Sequence, residues 1–277
     1  MYNGKDLYYL ENKLIEVKQN ILKIIYEAQS GHLGGSLSGA HMAVSLYYHH
    51  MNIDADNPFA ENRDRFILSK GHAAPLAYVI LADLGFFPRK ELDNFRQVGS
   101  ILQGHPDKNK TPGIEMTAGS LGQGLSIGIG TALGATLNDL DYNTYVMLGD
   151  GELNEGQVWE AAMYANKMNL NNLIAMVDYN GVQLDGPCCE IMPLKPLKAK
   201  WESFGWRVLD INGHNFREIL DALERADQIT DSPVVILADT IKGKGVSFME
   251  DDHQWHGQAP SQKQYQAALS ELKGGRR

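Results

Sequence analysis

The sequence predicts an α/β fold: one doubly wound, mostly parallel sheet with helices on both faces. Two observations predict it. Short, mostly apolar runs recur through the second half of the chain, at TYVML (144–148), NLIAMV (172–177), WRVLD (206–210) and PVVILAD (233–239), and helical segments separate them. The runs are not alternately polar, as strands with one wet face are. Strands covered by helices on both sides read this way. A length of 277 residues is enough for a sizeable core, and residues 1–277 are read as a single domain.

The elements follow in chain order. Leu10, Leu14, Val17, Ile21 and Ile25 fall at helical spacing, so residues 7–28 form an amphipathic helix. Gly31, Gly34 and Gly35 interrupt it, and a second helix runs from about Ser38 to His50. RFILS (65–69) is a short buried strand, followed by a helix over 75–85. From TYVML onward, the helices are GQVWEAAMYANK (156–167), PLKAKWESF (196–204) and NFREILDALERA (215–226). The polar tail, 261–277, is expected to be loosely ordered. No repeat, low-complexity tract or linker interrupts the pattern.

Composition narrows the function. Hydrophobic residues make up 43% and charged residues 21%, and the net charge is −9. That balance disfavours nonspecific attraction to nucleic acid or an anionic membrane. The basic cluster Lys195, Lys198 and Lys200 reads as a solvated surface. No apolar run approaches the roughly 20 residues that span a bilayer. The N-terminus lacks the basic and apolar regions of a secretory signal. The two cysteines, Cys188 and Cys189, are adjacent, and neighbours seldom meet disulfide geometry without strain. They are read as reduced thiols of a cytoplasmic protein.

The strongest chemical signal is Gly149-Asp150-Gly151 directly after TYVML. Ligands of open parallel sheets bind at the carboxyl ends of strands. The glycines allow a sharp turn and close approach to a ligand, and the helix starting near Gly156 aims its N-terminal NH groups at an anion. The next strand ends at Asp178-Tyr179-Asn180-Gly181-Val182, with 28 residues between Gly151 and Asn180. That is room for one crossover helix and a return strand, which sets the two turns side by side. Mg²⁺ takes about six oxygens and is usually held by one or two carboxylates plus phosphates. Asp150, Asn180, the Val182 carbonyl, two diphosphate oxygens and a water make such a shell. A lone GDG is a common turn, and Asn-Gly alone is a tight turn; the conjunction carries the reading.

GDG followed one crossover later by Asn is the signature of thiamine diphosphate enzymes, and GDGELNEGQVWEA resembles transketolase. SGHLGG (30–35), DRFILSKGHAAPLAY (64–78), GHP (104–106), GSLGQGLSIGIG (119–130), VDYNGVQLDG (177–186) and IKGKG through WHG (241–257) fall in the family's order over nearly the whole chain.

The resemblance implies roles. His72 contacts the cofactor near its reactive centre and diphosphate; His32 and His105 face the substrate channel; His256 sits by the diphosphate and donor sugar. Imidazoles suit this, because the sugar hydroxyls gain and lose protons near neutral pH. Gly119, Ser120 and Leu121 match the segment that lies against the cofactor's rings. Lys242 matches a lysine that approaches cofactor and donor in some members. Glu155 and Glu160 match acidic residues at the subunit interface. His41, His49, His50, His214 and His253 are read as structural. Gly122, Gly124 and Gly128 have the wrong spacing for a dinucleotide fingerprint, and no histidine falls at zinc spacing. One departure is Gly35, where some members carry a phosphate-binding serine. Deoxyxylulose-phosphate synthase shares the fold but has a different segment after GDG.

The resemblance also implies what this chain lacks. In the family, a glutamate from a second, pyrimidine-binding domain activates the cofactor, and basic residues outside the first domain grip the substrate phosphate. The expectation is the N-terminal subunit of a split, two-chain transketolase of the pentose phosphate pathway. It would use thiamine diphosphate and Mg²⁺ to move a two-carbon ketol group between sugar phosphates. It would pair with a C-terminal subunit as a heterotetramer of two copies each. The alternatives are a ketol transferase for a sulfonated or branched sugar, or a non-catalytic thiamine diphosphate-binding module.

Overall fold

The computed structural model describes residues 4–274. Among these, ten α-helices and five strands follow in the order α1 (Gly4–Ala28), α2 (Leu33–Ser38), α3 (Ala40–Ser45), β1 (Arg65–Leu68), α4 (Ala74–Leu84), α5 (Gln123–Leu137), β2 (Thr144–Gly149), α6 (Gly156–Lys167), β3 (Leu173–Tyr179), α7 (Cys188–Ile191), α8 (Leu197–Ser203), β4 (Arg207–Asn212), α9 (Phe216–Asp227), β5 (Val234–Asp239) and α10 (Gln262–Gly274). Short 3₁₀ turns occur at the carboxyl ends of strands, notably Gly71–Ala73 and Gly151–Asn154.

The sheet is parallel throughout, in the order β1-β2-β3-β5-β4. Strand pleating divides each run between two cores. Tyr145 and Met147 of β2, with Ile174 and Met176 of β3, pack with α1, α3, α4 and α9 on one face. Val146 and Leu148, with Leu173, Ala175 and Val177, pack with α5, α6 and α8 on the other. That two-sided burial is the physical reason the strands carry no polar alternation. The chain runs outward through β2, β3 and β4, then turns back through α9 on the opposite face to insert β5 beside β3. Reversing both direction and face keeps the crossovers right-handed. The doubly wound fold read from the sequence is the one observed.

Two local expectations differ, and one further helix appears. The second helix begins earlier, at Leu33, and continues through a second segment and a wide turn over Leu46–His50. Gly34 and Gly35 lie inside it rather than breaking it. The segment 123–137, glycine-rich in sequence, is a regular helix whose Gly128 admits Val146 of the sheet. Most of the polar tail is helical: α10 docks on α1, with Ala268 and Leu272 buried and Tyr265 stacked on Tyr26 at 4.2 Å. Tyr265 and Leu269 pack beside the buried Ala268 and Leu272, a short apolar stripe in an otherwise polar tail. Residues 275–277 of that tail lie outside the described residues.

Candidate active site

Four strand ends converge on one edge of the sheet. β1 delivers Ser69-Lys70-Gly71-His72, β2 delivers Gly149-Asp150-Gly151, β3 delivers Asp178 to Val182, and β5 delivers Thr240-Ile241-Lys242. Gly149 of β2 pairs in register with Asp178 of β3, so the two turns lie side by side.

Asp150 is buried. Its carboxylate accepts from the Gly151 NH at 2.7 Å and the Gly181 NH at 2.5 Å, one bond to each oxygen. Asn180 turns Oδ1 back to the Val182 NH at 3.1 Å and donates from Nδ2 to Asp178 at 3.2 Å. Burial, then the Asp178 charge, pushes Asp150 up to about 6. The Val182 carbonyl accepts from Lys242 Nζ at 2.8 Å.

A frame of buried charge stands behind these residues. Asp178 is fully buried. It accepts from Ser38 Oγ at 2.5 Å and Thr240 Oγ1 at 2.6 Å, and it is ion-paired with Lys70. Lys70 also donates to the Gly35 carbonyl at 2.8 Å. Burial alone would raise the Asp178 carboxyl; the Lys70 ammonium outweighs it and the net direction is down. Glu152 ties a second set of loops: it accepts from the Gly122 NH at 2.8 Å, the Gly149 NH at 3.0 Å and the Ser69 hydroxyl. Sequence reasoning missed Lys70, Glu152 and Asp178. Glu152 adjoins Gly151, and Lys70 and Asp178 each lie two residues from a selected one, His72 and Asn180, but charged residues beside glycine turns ordinarily read as exposed.

The four histidines selected from the sequence meet in front of this frame. Ring centroids are 5.3 Å apart for His32–His72, 6.2 Å for His32–His105, 5.4 Å for His32–His256 and 4.9 Å for His72–His256. Burial is the first cause that holds each imidazole neutral. After burial, Arg96 brings His32 down to about 4, and Lys242 brings His256 to about 3. Lys70 adds to the lowering of His72, and Arg96 to that of His105. His256 Nδ1 lies 3.0 Å from Lys242 Nζ and His32 Nδ1 lies 3.4 Å from Arg96. Both contacts assign the ring proton to Nε2, because an ammonium or guanidinium only donates. Arg96, another residue the sequence reading passed over, also holds Ser30 Oγ at 2.7 Å.

Lys242 reaches this cluster across Gly34, where an added Cβ would fall 2.9 Å from Lys242 Cγ and 3.1 Å from the Trp255 carbonyl. Any side chain there displaces the lysine. Gly119 and Ser120 are exposed and Leu121 half-buried, in the loop before α5; Ala118 and the Gly119 nitrogen abut Gly71 beside His72. Glu155 is the exposed residue that precedes α6, packed against Gly122 without a side-chain capping bond, and Glu160 is exposed on the same helix. His41 and His214 form a separate pair.

Comparison with known proteins fits this arrangement. Residues 12–273 match the family described as transketolase, thiamine diphosphate binding domain. The chain belongs to the transketolase family. It is 44% identical over 263 residues to a 6-deoxy-6-sulfo-D-fructose transketolase subunit of Clostridium sp. (strain MSTE9), covering 95% of this chain and 96% of that one. It is 41% identical to an apulose-4-phosphate transketolase subunit of Phocaeicola vulgatus, covering 92% and 90%. Human transketolase is 36% identical over 246 residues, and there the match spans 88% of this chain but 39% of the human protein. The solved transketolase of Campylobacter jejuni superposes with a TM-score of 0.88 at 32% identity, covering 98% of this chain and 43% of its own. This transketolase-family chain therefore has the extent of a subunit, about two fifths of a full-length relative. Among the described residues, no helix is long and apolar enough to cross a membrane.

Proposed function

We propose that this chain is the diphosphate-binding subunit of a two-chain transketolase that moves a two-carbon ketol group between sugars, with Mg²⁺ and thiamine diphosphate. The observation that carries the reading is the meeting of four neutral imidazoles beside Asp150 and Asn180, at the carboxyl ends of β2 and β3.

The donor set suits the metal. Asp150 keeps a lone pair on each oxygen beyond its two NH bonds, Asn180 keeps one on Oδ1, and all the ligating atoms are hard oxygens. The Val182 carbonyl completes the protein's share if Lys242 turns its ammonium to the diphosphate instead. Gln183 Nε2, buried and without a partner against Gly151, supplies a further donor at this end. Bound thiamine diphosphate supplies a nucleophilic thiazolium carbon and an electron sink. The residues of this chain do the proton work. Each neutral imidazole has one N–H and one lone pair: His72 and His105 can offer both to sugar hydroxyls, while His32 and His256, whose Nδ1 faces Arg96 and Lys242, offer Nε2–H as donors.

The need for a partner follows from the carboxylates. Among the described residues, Asp150, Glu152 and Asp178 are the buried carboxylates of the site, and each is already committed to backbone NH groups, hydroxyls or Lys70. None faces outward to act on the cofactor's far ring. A C-terminal chain is to bring that glutamate, close over the cofactor and exclude water. Two copies of each chain is the simplest closed assembly, and the cytoplasm is the expected compartment.

A second reading concerns the sugar. The two subunit-sized relatives are named for a sulfonated sugar and for apulose 4-phosphate, which favours a specialised donor for this chain too. The test is to purify the chain, add saturating Mg²⁺ and thiamine diphosphate, and assay ketol transfer alone and with its C-terminal partner. Xylulose 5-phosphate, a sulfonated ketose and a branched ketose serve as donors. Full turnover from the chain alone overturns the two-chain reading, and turnover restricted to one donor decides the second.

A further inference from the structure

His41, His214 and Lys18 lie outside the imidazole cluster, yet they hold the segment that carries Lys242. Lys18 is buried in α1, and its ammonium donates to the Lys244 carbonyl at 2.7 Å. Lysine is seldom buried without an ionic partner, so an ammonium committed to a backbone carbonyl needs a reason. On the other side of Lys242, the Ile241 NH donates to His214 Nε2 at 2.8 Å. An accepting Nε2 puts the proton of neutral His214 on Nδ1, from where it donates to His41 Nδ1 at 3.1 Å. Around the two anchors the backbone also bonds through Gly243 NH to Gly34, Lys242 carbonyl to Asp251 and Lys244 NH to Ile241, but the turn itself is built on glycines. Gly243 and Gly245 both have positive φ, at 77° and 102°.

We propose that His214 is a positioning residue: its Nε2 and the Lys18 ammonium clamp the backbone on either side of Lys242, and thereby set Lys242 against the Val182 carbonyl and His256. The inference rests on the reading of Lys242 and His256 as site residues. The contacts it explains are the Lys242 bonds at 2.8 Å to Val182 and 3.0 Å to His256 Nδ1. Gly34 packs against the lysine stem, and the Gly243 NH is tied to the Gly34 carbonyl at 3.1 Å.

The clamp has a defined chemical release. Protonating His214 converts Nε2 from acceptor to donor, facing the Ile241 NH. His214 lines an open cavity of about 700 Å³ with Glu218, Asp239 and Lys244, so solvent protons reach it. The groups acting on it are Lys18 from α1, His41 from α3, Lys244 and Glu250 from the loop, and Asp178 from β3. Burial, then the two lysines, brings its pKa to about 4 against the opposing carboxylates, so the clamp is closed at neutral pH.

The test uses the full chain without cofactor or sugar, so its outcome is separate from that of the ketol-transfer assay. Lys242 is 2% exposed and should acetylate slowly with trace acetic anhydride. His214→Phe keeps the ring volume and loses the acceptor. Lys242 acetylation, read by mass spectrometry against the surface lysines, should rise roughly tenfold, the effect of one lost hydrogen bond. The ¹⁵N shifts of the His256 ring should move with it. His214→Gln restores a carbonyl acceptor and should return both readouts toward wild type. If His214→Phe does not fold, Lys18→Met opens the other side of the clamp and should raise Lys242 acetylation in the same way. A folded His214→Phe or Lys18→Met chain with unchanged Lys242 acetylation and unchanged His256 shifts overturns the proposal.

Discussion

Replacing Lys70 with methionine removes the cation inside the frame that holds the site together. Asp178 is fully buried, and among the described residues its side-chain partners are Lys70, Ser38, Thr240 and Asn180. Lys70→Met keeps most of the side-chain volume but leaves three neutral donors around an unpaired carboxylate. Breaking one partner of a buried pair typically costs about 3–5 kcal/mol. The three surviving hydrogen bonds put the expected loss near the lower end, about 3 kcal/mol. A urea titration of the full chain at pH 7 measures it as a lower midpoint at unchanged slope. The sign with pH follows from the lowered Asp178 carboxyl. Its contribution is present above the unfolded aspartate value, about 3.9, and is lost as pH falls through the folded value. The gap between wild type and Lys70→Met should therefore shrink in acid as Asp178 protonates. The double variant Lys70→Met/Asp178→Leu should recover part of the loss, since no buried charge is left alone. A Lys70→Met chain within about 1 kcal/mol of wild type, or a double variant worse than the sum of the single ones, refutes the reasoning.

The remaining predictions address ligand binding, turnover and pH. Asp150→Ala should abolish Mg²⁺-dependent thiamine diphosphate binding by the reconstituted pair, and calorimetry showing unchanged affinity would sink the metal assignment. His72→Ala and His256→Ala should fold normally by circular dichroism and lose roughly 10²–10⁴-fold in turnover; a wild-type rate in either removes that residue from the proton path. His32, His214 and His256 sit at about 4, about 4 and about 3, against 6.5 for a free imidazole. The unfolded chain therefore binds more protons over that interval, and stability should fall as pH drops from 6.5 toward 4. A urea midpoint flat across that range contradicts the burial of these rings as neutral species.

How much of this was legible in the sequence depends on what kind of signal a residue leaves. The sheet was legible because burial on both faces erases polar alternation from β2, β3 and β5, and no surface strand mimics that. The adjacency of Asp150 and Asn180 followed from it, since one crossover between two apolar runs leaves few alternatives. The convergence of His32, His72, His105 and His256 was not legible from spacing: they lie in four separate loops, and the order of family motifs alone brought them together. Lys70, Glu152 and Asp178 were legible in no way used, although Asp178 left a trace. It continues the run NLIAMV directly, and its register with Gly149 keeps it inside the sheet. A charge that extends a fully apolar strand has no solvent to face and so requires a buried partner. Applied to NLIAMVD, that rule points to a cation at the end of a nearby element, and Lys70 after β1, one strand beyond β2, is that cation. α10 escaped for the opposite reason: one turn of Ala268 and Leu272 against α1 is a real interface with almost no compositional mark.

The placement of charge explains why the histidines are usable at all. Each of the four imidazoles lies 4.9–6.2 Å from at least one other, and the rings would repel if protonated. Burial keeps each neutral, and the cations are arranged to reinforce it: Lys70 behind His72, Lys242 beside His256, Arg96 beside His32 and His105. The same lysines answer to carboxylates or carbonyls on their other side, Lys70 to Asp178 and Lys242 to Val182. Each cation thus does two jobs with one charge. It satisfies a buried acceptor in the frame and withholds a proton from the ring in front. A neutral ring whose Nδ1 is occupied from behind presents Nε2–H forward, as His32 and His256 do. In such a ring the forward hydrogen can be given up to an oxygen in front only if the cation behind passes a proton to Nδ1.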